Sequence, residues 1–384
     1  MLFNKATKNK PFLVLDIGTE AIKSFIFKKD GEKIVILGSS LKYFNDIGVF
    51  DSWNFEHDVV KKAISEAVRD TQKEAGFQTK RIWLGGSFLR ARVVFLSFSR
   101  KNHNKEINKK ESKAIHQTIT SEFRKKVSQK FVQDYGILPQ ELEFLSSEIL
   151  ETKIDGYQVN QVLGYKGKKL EFRALVVFVP RYEMDKFLKI FKELKLKISN
   201  VIHNAQCPIF PFKTDNEIFL DIGGNLTQIF LVKNRILEAV SEFKNGGKDF
   251  SQTLCKNLSL SQERVRFLKE KYSQGLLSDP VRKKVKGIFS DIAQNWFENL
   301  KSKLSNQTLI ASNIFLCGGG SLLPDIQDVL EERREEIFLG QDTKIKFIFP
   351  KGLNKILNSS IVKINNSQYT SSILLSYYEK TKNF

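Results

Sequence analysis

Two stretches of this 384-residue sequence set a carboxylate, a glycine and a hydroxyl between apolar runs in the same order. Residues 13–28 read LVLDIGTEAIKSFIFK, and residues 218–233 read IFLDIGGNLTQIFLVK. Asp16 thus matches Asp221, Gly18 matches Gly223, and Lys28 matches Lys233. Each copy reads as strand, tight turn, strand. An apolar strand delivers its Asp to the carboxyl end, where ligands of sheets sit. Glycine at the bend (Gly18; Gly223 with Gly224) lets backbone N–H groups face an anion with no Cβ in the way. A hydroxyl such as Thr19 or Thr227 can donate to a phosphate oxygen, and Lys23, whose counterpart is Gln228, can offset phosphate charge. The carboxylates repel phosphate, so their use would be to hold Mg²⁺ through water. Two such hairpins face to face would clamp a nucleotide polyphosphate between two lobes. Taken singly, each Asp-x-Gly is equally a plain hairpin turn.

A third element strengthens the chemical reading. The stretch NIFLCGGGSLLPDI runs from a strand at Ile314–Leu316 through Gly318, Gly319, Gly320 and Ser321 into a helix near Pro324. Glycines between a strand and a helix start admit a flat or anionic ligand closely, here the adenosine end of a nucleotide. Gln206, ahead of the second hairpin, could orient an attacking water or simply cap a helix end, and His203 beside it reads as structural.

Around these residues the elements alternate. Strands are expected at 12–17, 22–28, 33–37, 81–84 and 91–98, and apolar spacing over 57–75 gives a helix. Residues 99–130 are basic, with a helix over 109–133; strands at 143–154, 157–165 and 169–179 complete a small α+β unit that reads as an insertion. A helix at 181–195, a strand at 198–203, helices over 261–306 broken near Ser278–Pro280, a strand at 345–349 and a helix at 369–380 finish the chain.

Composition narrows the classes. Lys plus Arg number 62 against 43 Asp plus Glu, a formal charge of +19, with 41% apolar and 27% charged residues. That is a globular balance, not a disordered one. Three cysteines without paired spacing and four scattered histidines argue against a disulfide framework, a cysteine zinc site or a histidine-rich metal centre, and a reducing cytosol fits best. No run approaches the ~20 apolar residues of a membrane span, and the first ten residues carry no apolar leader core. The charge implies an anionic partner, although richness in Lys, Phe and Asn also fits a compositional bias. Without a helix-turn-helix, RNA-stacking motif or zinc finger, no nucleic acid is expected. The basic segments 99–130 and 282–286 are solvated faces or contacts for a neighbour, an acidic tail or lipid headgroups.

The two Asp-x-Gly hairpins followed by strand–GGG–helix resemble the actin, heat-shock chaperone and hexokinase superfamily over about residues 11–380. Within it, DIGTEAIK, WLGGSFLRA, NGGKDF, FLKEKY, YTSSILL and the segment GVFDSW resemble the bacterial cell-division FtsA family, with the pilus PilM proteins as near relatives. The resemblance implies an α/β fold of two lobes, built from duplicated RNase H-like domains, with an FtsA-type (SHS2-like) insertion. One subdomain would comprise 1–85, 178–213 and 368–384, and the insertion 86–177. A third would comprise 214–253 and 312–367, and a fourth 254–311. ATP and Mg²⁺ are the implied cofactors, with any hydrolysis slow and regulatory. Asp16 and Asp221 would hold the metal, Gln206 would attend a water, and Gly18, Thr19 and Lys23 would form the first phosphate loop. Gly223, Gly224, Asn225 and Thr227 would form the second, Gly318–Ser321 the adenosine loop, and Lys269 would lie near the ribose.

Three departures stand out: in the second loop Asn225 replaces the third glycine and Gln228 the last aspartate; Arg266 replaces a ribose-side glutamate; and the chain stops at Phe384, soon after YTSSILL. The first two put hydrolysis in doubt more than binding. The family role is a filament-forming scaffold at the cytoplasmic face of the inner membrane, binding FtsZ or its acidic tail and other division proteins, with anionic lipid a further partner. FtsA proteins usually extend past this segment through a linker to a membrane-binding amphipathic helix, so the third departure puts the membrane anchor in doubt. A PilM-like adaptor gripping the peptide of a membrane partner, on the insertion's groove, is the alternative, and a sugar kinase the third reading.

Overall fold

A computed structural model describes residues 10–31, 33–44, 50–51, 54–207, 216–305, 311–337, 343–348, 364 and 366–378. Most of the GVFDSW segment, residues 208–215 and both ends of the chain lie outside the described residues. The first lobe grows from β1 (Phe12–Ile17), whose side chains beyond Phe12 are buried on both faces. It pairs antiparallel with β2 (Ala21–Asp30), which pairs antiparallel with β3 (Lys33–Tyr43). A two-residue hairpin, β4 (Phe50–Asp51) with β5 (Asn54–Phe55), precedes α1 (His57–Ala75). Val60, Ile64, Ala67 and Val68 bury one face of α1. The helix lies directly on β3, where a Cβ on Gly38 would come within 2.6 Å of the Thr71 carbonyl oxygen. Gly76, in the left-handed conformation, ends it. β6 (Arg81–Gly86) then joins β1 in parallel.

The chain leaves this sheet on β7 (Arg90–Ser99), crosses α2 (Lys109–Tyr135), and returns through β8 (Leu142–Ile154), β9 (Tyr157–Gln158) and β10 (Lys169–Pro180). These strands form their own sheet, ordered β7-β10-β8-β9, with α2 on one face. The expected strand over 157–165 stops at Gln158. Asp155 and Gly156 both take positive φ in the turn before it, and residues 164–167 spend their backbone bonds on the 103–107 loop instead. Next, α3 (Arg181–Glu193) and β11 (Lys197–Val201) complete the first lobe's sheet, ordered β11-β6-β1-β2-β3.

The second lobe repeats that plan. β12 (Asn216–Ile222), β13 (Leu226–Lys233) and β14 (Ile236–Lys244) form an antiparallel meander; β15 (Asn313–Cys317) and β16 (Lys344–Phe347) add in parallel on the other side of β12. The order β14-β13-β12-β15-β16 mirrors the first sheet position for position. β14 was not anticipated from the sequence. α4 (Gly247–Leu258), α5 (Gln262–Ser273) and α6 (Asp279–Leu304) pack against this sheet around the fully buried Trp296. After β15 the glycine run forms a 3-10 turn, and α7 (Pro324–Arg333) starts only beyond it. The closing helix is short: α8 (Thr370–Leu374) followed by one 3-10 turn.

A buried charge cluster ties the insertion to both lobes. Glu242 of β14 accepts ion pairs from Arg90 at 3.4 Å and Arg92 at 3.3 Å, both on β7. Burial alone would raise the Glu242 carboxyl, but Arg92 and Arg90 together hold it low. Glu183 of α3 lies in the same region, and burial pushes it up to about 7 against the pull of Arg90. An acid raised on folding weakens the folded state as pH climbs through its unfolded value and up to its folded one. Glu183→Gln should therefore match wild type below pH 4.5 and gain on it with rising pH, by up to about 3 kcal/mol above pH 7. Urea denaturation from pH 4 to 8 measures this; a pH-independent difference would refute it.

Candidate functional site

The two hairpins form matched turns. Gly18 N–H donates to the Ala21 carbonyl at 3.0 Å, and Gly223 N–H to that of Leu226 at 2.9 Å. Pairing sets Lys23 opposite Asp16 on the first hairpin and Gln228 opposite Asp221 on the second. Asp16, Lys23, Asp221 and Gln228 line one cleft between the lobes, with Gly18, Thr19, Glu20, Gly223, Gly224, Gly318 and Gly319 at its rim. Lys23 Nζ lies 3.6 Å from Asp16. The glycines are required by crowding. A Cβ on Gly224 would lie 2.5 Å from Thr19 Oγ1, and one on Gly318, whose φ is +84°, 2.5 Å from Asp221 Oδ1.

Two consecutive serines of α8 answer the two carboxylates. Ser372 Oγ donates to Asp16 at 2.5 Å, and Ser371 Oγ to Asp221 at 2.6 Å. Asn204 adds an N–H to Asp221 at 3.2 Å. Burial pushes the Asp221 carboxyl up, Ser371 and Lys23 pull it down, and the nearby Asp16 pushes it up again. His203 is buried at the cleft wall, its Nδ1 accepting from Ala205 N–H and its Nε2 set 3.2 Å from Gln228. Burial lowers it to about 4, so it is neutral near pH 7.

The cleft is closed. Asn225 N–H donates to Thr19 Oγ1 at 2.9 Å, so the phosphate-type loops touch. At the mouth, Arg266 stacks on the Tyr43 ring at 4.1 Å and donates to the Phe44 carbonyl at 2.9 Å. Tyr43 OH reaches Glu270 at 3.4 Å. Lys269 bonds Glu20 across the gap at 3.2 Å and, in its own lobe, Gly247 O and Ser251 Oγ.

Several sequence expectations land elsewhere. Gln206 is not at the cleft; its amide binds Ser146 and Glu148 of β8 and its carbonyl takes His203 N–H. Asn204, two residues earlier, is the side chain that reaches Asp221. Thr227 is buried behind the loop, donating to Asn245 O and accepting from Trp296 Nε1. Ser321 braces the glycine loop from within, donating to Gly318 O at 2.7 Å, and Gly320 is buried beside Ile222. Sequence reasoning missed Asn204, Ser371, Ser372 and the Tyr43–Arg266 contact. The adjacent serines in YTSSILL were the available signal for two of them.

No protein-family model matches the chain, and no curated protein sequence does. Solved structures do. A structure titled as a PilM–PilN type IV pilus biogenesis complex matches at 13% identity and a TM-score of 0.69, covering 97% of this chain and 99% of that one. The ethanolamine utilization protein EutJ from Carboxydothermus hydrogenoformans matches at 11% identity and a TM-score of 0.52, over 96% and 90%. The chain has the two-lobed, actin-like ATPase fold.

Asp221→Asn keeps an acceptor for Ser371 and Asn204 while removing a carboxyl whose ionisation burial resists. The ligand-free variant should melt at or above wild type at pH 8, with the gain fading as pH falls toward 4. Scanning calorimetry at both pH values checks this, and a variant less stable at pH 8 would contradict it.

Proposed function

We propose that the chain binds Mg-ATP in the cleft between its lobes and uses it as a clamp in an adaptor that grips a partner protein. The observation that carries this reading is the convergence of Asp16 and Asp221, from two matched hairpins, on one glycine-lined cleft with Lys23 beside them. The residues fit the ligand. Gly18, Gly223, Gly224 and Gly318 sit where a Cβ would strike the opposing backbone or side chains, the condition for close approach to phosphate. Asp16 and Asp221 would hold Mg²⁺, with water and phosphate completing its shell. Bound there, Mg²⁺ would screen the phosphate charge. Gly319 and Lys269 would face the nucleoside, and the Thr19–Asn225 contact would part to admit the phosphates. Hydrolysis would be slow: Gln206 is turned to β8, and Gln228 stands where the family pattern has an aspartate.

The adaptor reading is favoured over a polymer because the likeness to PilM, captured in a structure titled as a complex with PilN, runs over nearly the whole chain. The FtsA-type reading, a filament linking the FtsZ ring to the membrane, rests on the sequence motifs. The sugar-kinase reading has least support, since the cleft carboxylates Asp16, Glu20 and Asp221 are each engaged by serine or lysine partners.

Saturating Mg-ATP should raise the melting temperature, with ~2.7 kcal/mol of stabilisation at a hundredfold excess over Kd. Asp16→Asn, Asp221→Asn and Lys23→Ala should each lose most of that gain, and chelating Mg²⁺ should weaken it in wild type. A wild-type protein indifferent to Mg-ATP would end the reading. Sedimentation with Mg-ATP should show discrete species; filaments, or tight binding of an acidic FtsZ tail peptide, would favour the division role.

A further inference from the structure

The geometry points to a second functional surface, independent of the cleft: the far tip of the insertion is a contact for an anionic lipid bilayer. β7 starts at Arg90, beside the cleft residues Gly86 and Ser87, and runs ten residues to Ser99, where it pairs with Lys169 at the start of β10. At about 3.3 Å per residue this carries the loops at that end roughly 30 Å from the cleft.

The tip consists of two loops welded together. Arg100 N–H donates to Lys168 O, Gly167 N–H to His103 O and Ile107 N–H to Tyr165 O. Arg100, buried, grips Glu111 through two N–H groups and also caps Lys105 O. The Asp155 carboxylate accepts the N–H groups of Lys168 and Lys169, so its charge is spent on the loop.

What remains outside is cationic and aromatic. Lys101, Lys105, Lys109 and Lys110 from one side and Lys166 and Lys168 from the other are exposed, against Glu106 as the exposed carboxylate of these loops not bound into the scaffold. Set among them are Tyr157 at 79% exposure, Tyr165 at 46% and Leu163 at 38%. Side chains with an apolar ring and a polar end suit the boundary between headgroups and acyl chains. Lysines around them suit the negative surface of an anionic leaflet. A nucleic-acid backbone or acidic peptide would answer the lysines, but it leaves unexplained the exposed Tyr157, Tyr165 and Leu163, the last at the edge of a groove that Lys109 also lines. No helix among the described residues is long and apolar enough to cross a membrane, so this contact would lie on the surface.

Co-sedimentation of the full chain with vesicles of phosphatidylglycerol and phosphatidylcholine, against phosphatidylcholine alone, tests the proposal. Binding should require the anionic lipid and weaken steeply with salt. Replacing Lys101, Lys105, Lys166 and Lys168 by Gln should lower partitioning more than about 100-fold. The same replacement at the exposed Lys189, Lys256, Lys283 and Lys284 should change it by less than about fivefold. Tyr157→Ser with Tyr165→Ser should lower the binding that persists at high salt. Circular dichroism confirms that each variant is folded. Equal binding to neutral vesicles, no binding to anionic ones, or equal losses from both lysine sets would overturn it. So would tip-dependent binding of a DNA oligonucleotide or poly-glutamate that is tighter than the binding to vesicles.

Discussion

Two carboxylates, one from each lobe, face a single cleft, and most of the central structure compensates for that. Like charges brought together out of water destabilise the state that contains them unless donors or cations answer them. Here Lys23 and Ser372 answer Asp16, while Ser371 and Asn204 answer Asp221. The serines are neighbours on α8, so one short helix near the end of the described chain spans the junction and satisfies both lobes. Its position is fixed by packing: Ile373, Leu374 and Leu375 are buried in a core shared by β2 of one lobe and β12 and β15 of the other. A hydroxyl donor neutralises no charge, so among these partners only Lys23 offsets the charge of the pair.

The duplication explains why the carboxylates converge. Both sheets place a meander beside two parallel strands, and both put Asp at the carboxyl end of the central strand. The lobes diverge only where chain is added. The first takes an insertion between β6 and α3, and the second takes α4, α5 and α6 between β14 and β15. Both additions leave the hairpin geometry untouched because they enter at strand ends rather than within the meanders.

What the sequence made legible follows from range. The hairpins, α1 and the inserted α+β unit rest on local periodicity and turn residues, and their elements are found within a few residues of the expected places, except the strand expected over 157–165, which ends at Gln158. β14 was missed because its alternation, ILEAVSEFK, is interrupted by an extra residue, Glu238, skipped between the partners of Leu231 and Val232, and by Glu242, a buried charge. Glu242 is inward-facing only because Arg90 and Arg92 arrive from the insertion. Thr227 looked like a phosphate donor on local grounds, yet Trp296, far along the chain, claims its hydroxyl. The Ser372–Asp16 bond spans nearly the whole sequence, and no local pattern predicts such a partner.

The attachments between lobes differ in strength. At the mouth, the partly exposed Tyr43–Arg266 stack and the Tyr43–Glu270 bond are of a kind worth about 0.5–1 kcal/mol each. Behind the cleft, Arg90 and Arg92 meet Glu242 in a buried cluster, and breaking such a pair costs about 3–5 kcal/mol. Of these attachments the Glu242 cluster is the stronger and the Tyr43–Arg266 stack the weaker. β7 carries both arginines and also roots the insertion, so one strand joins the insertion to β14 of the second lobe.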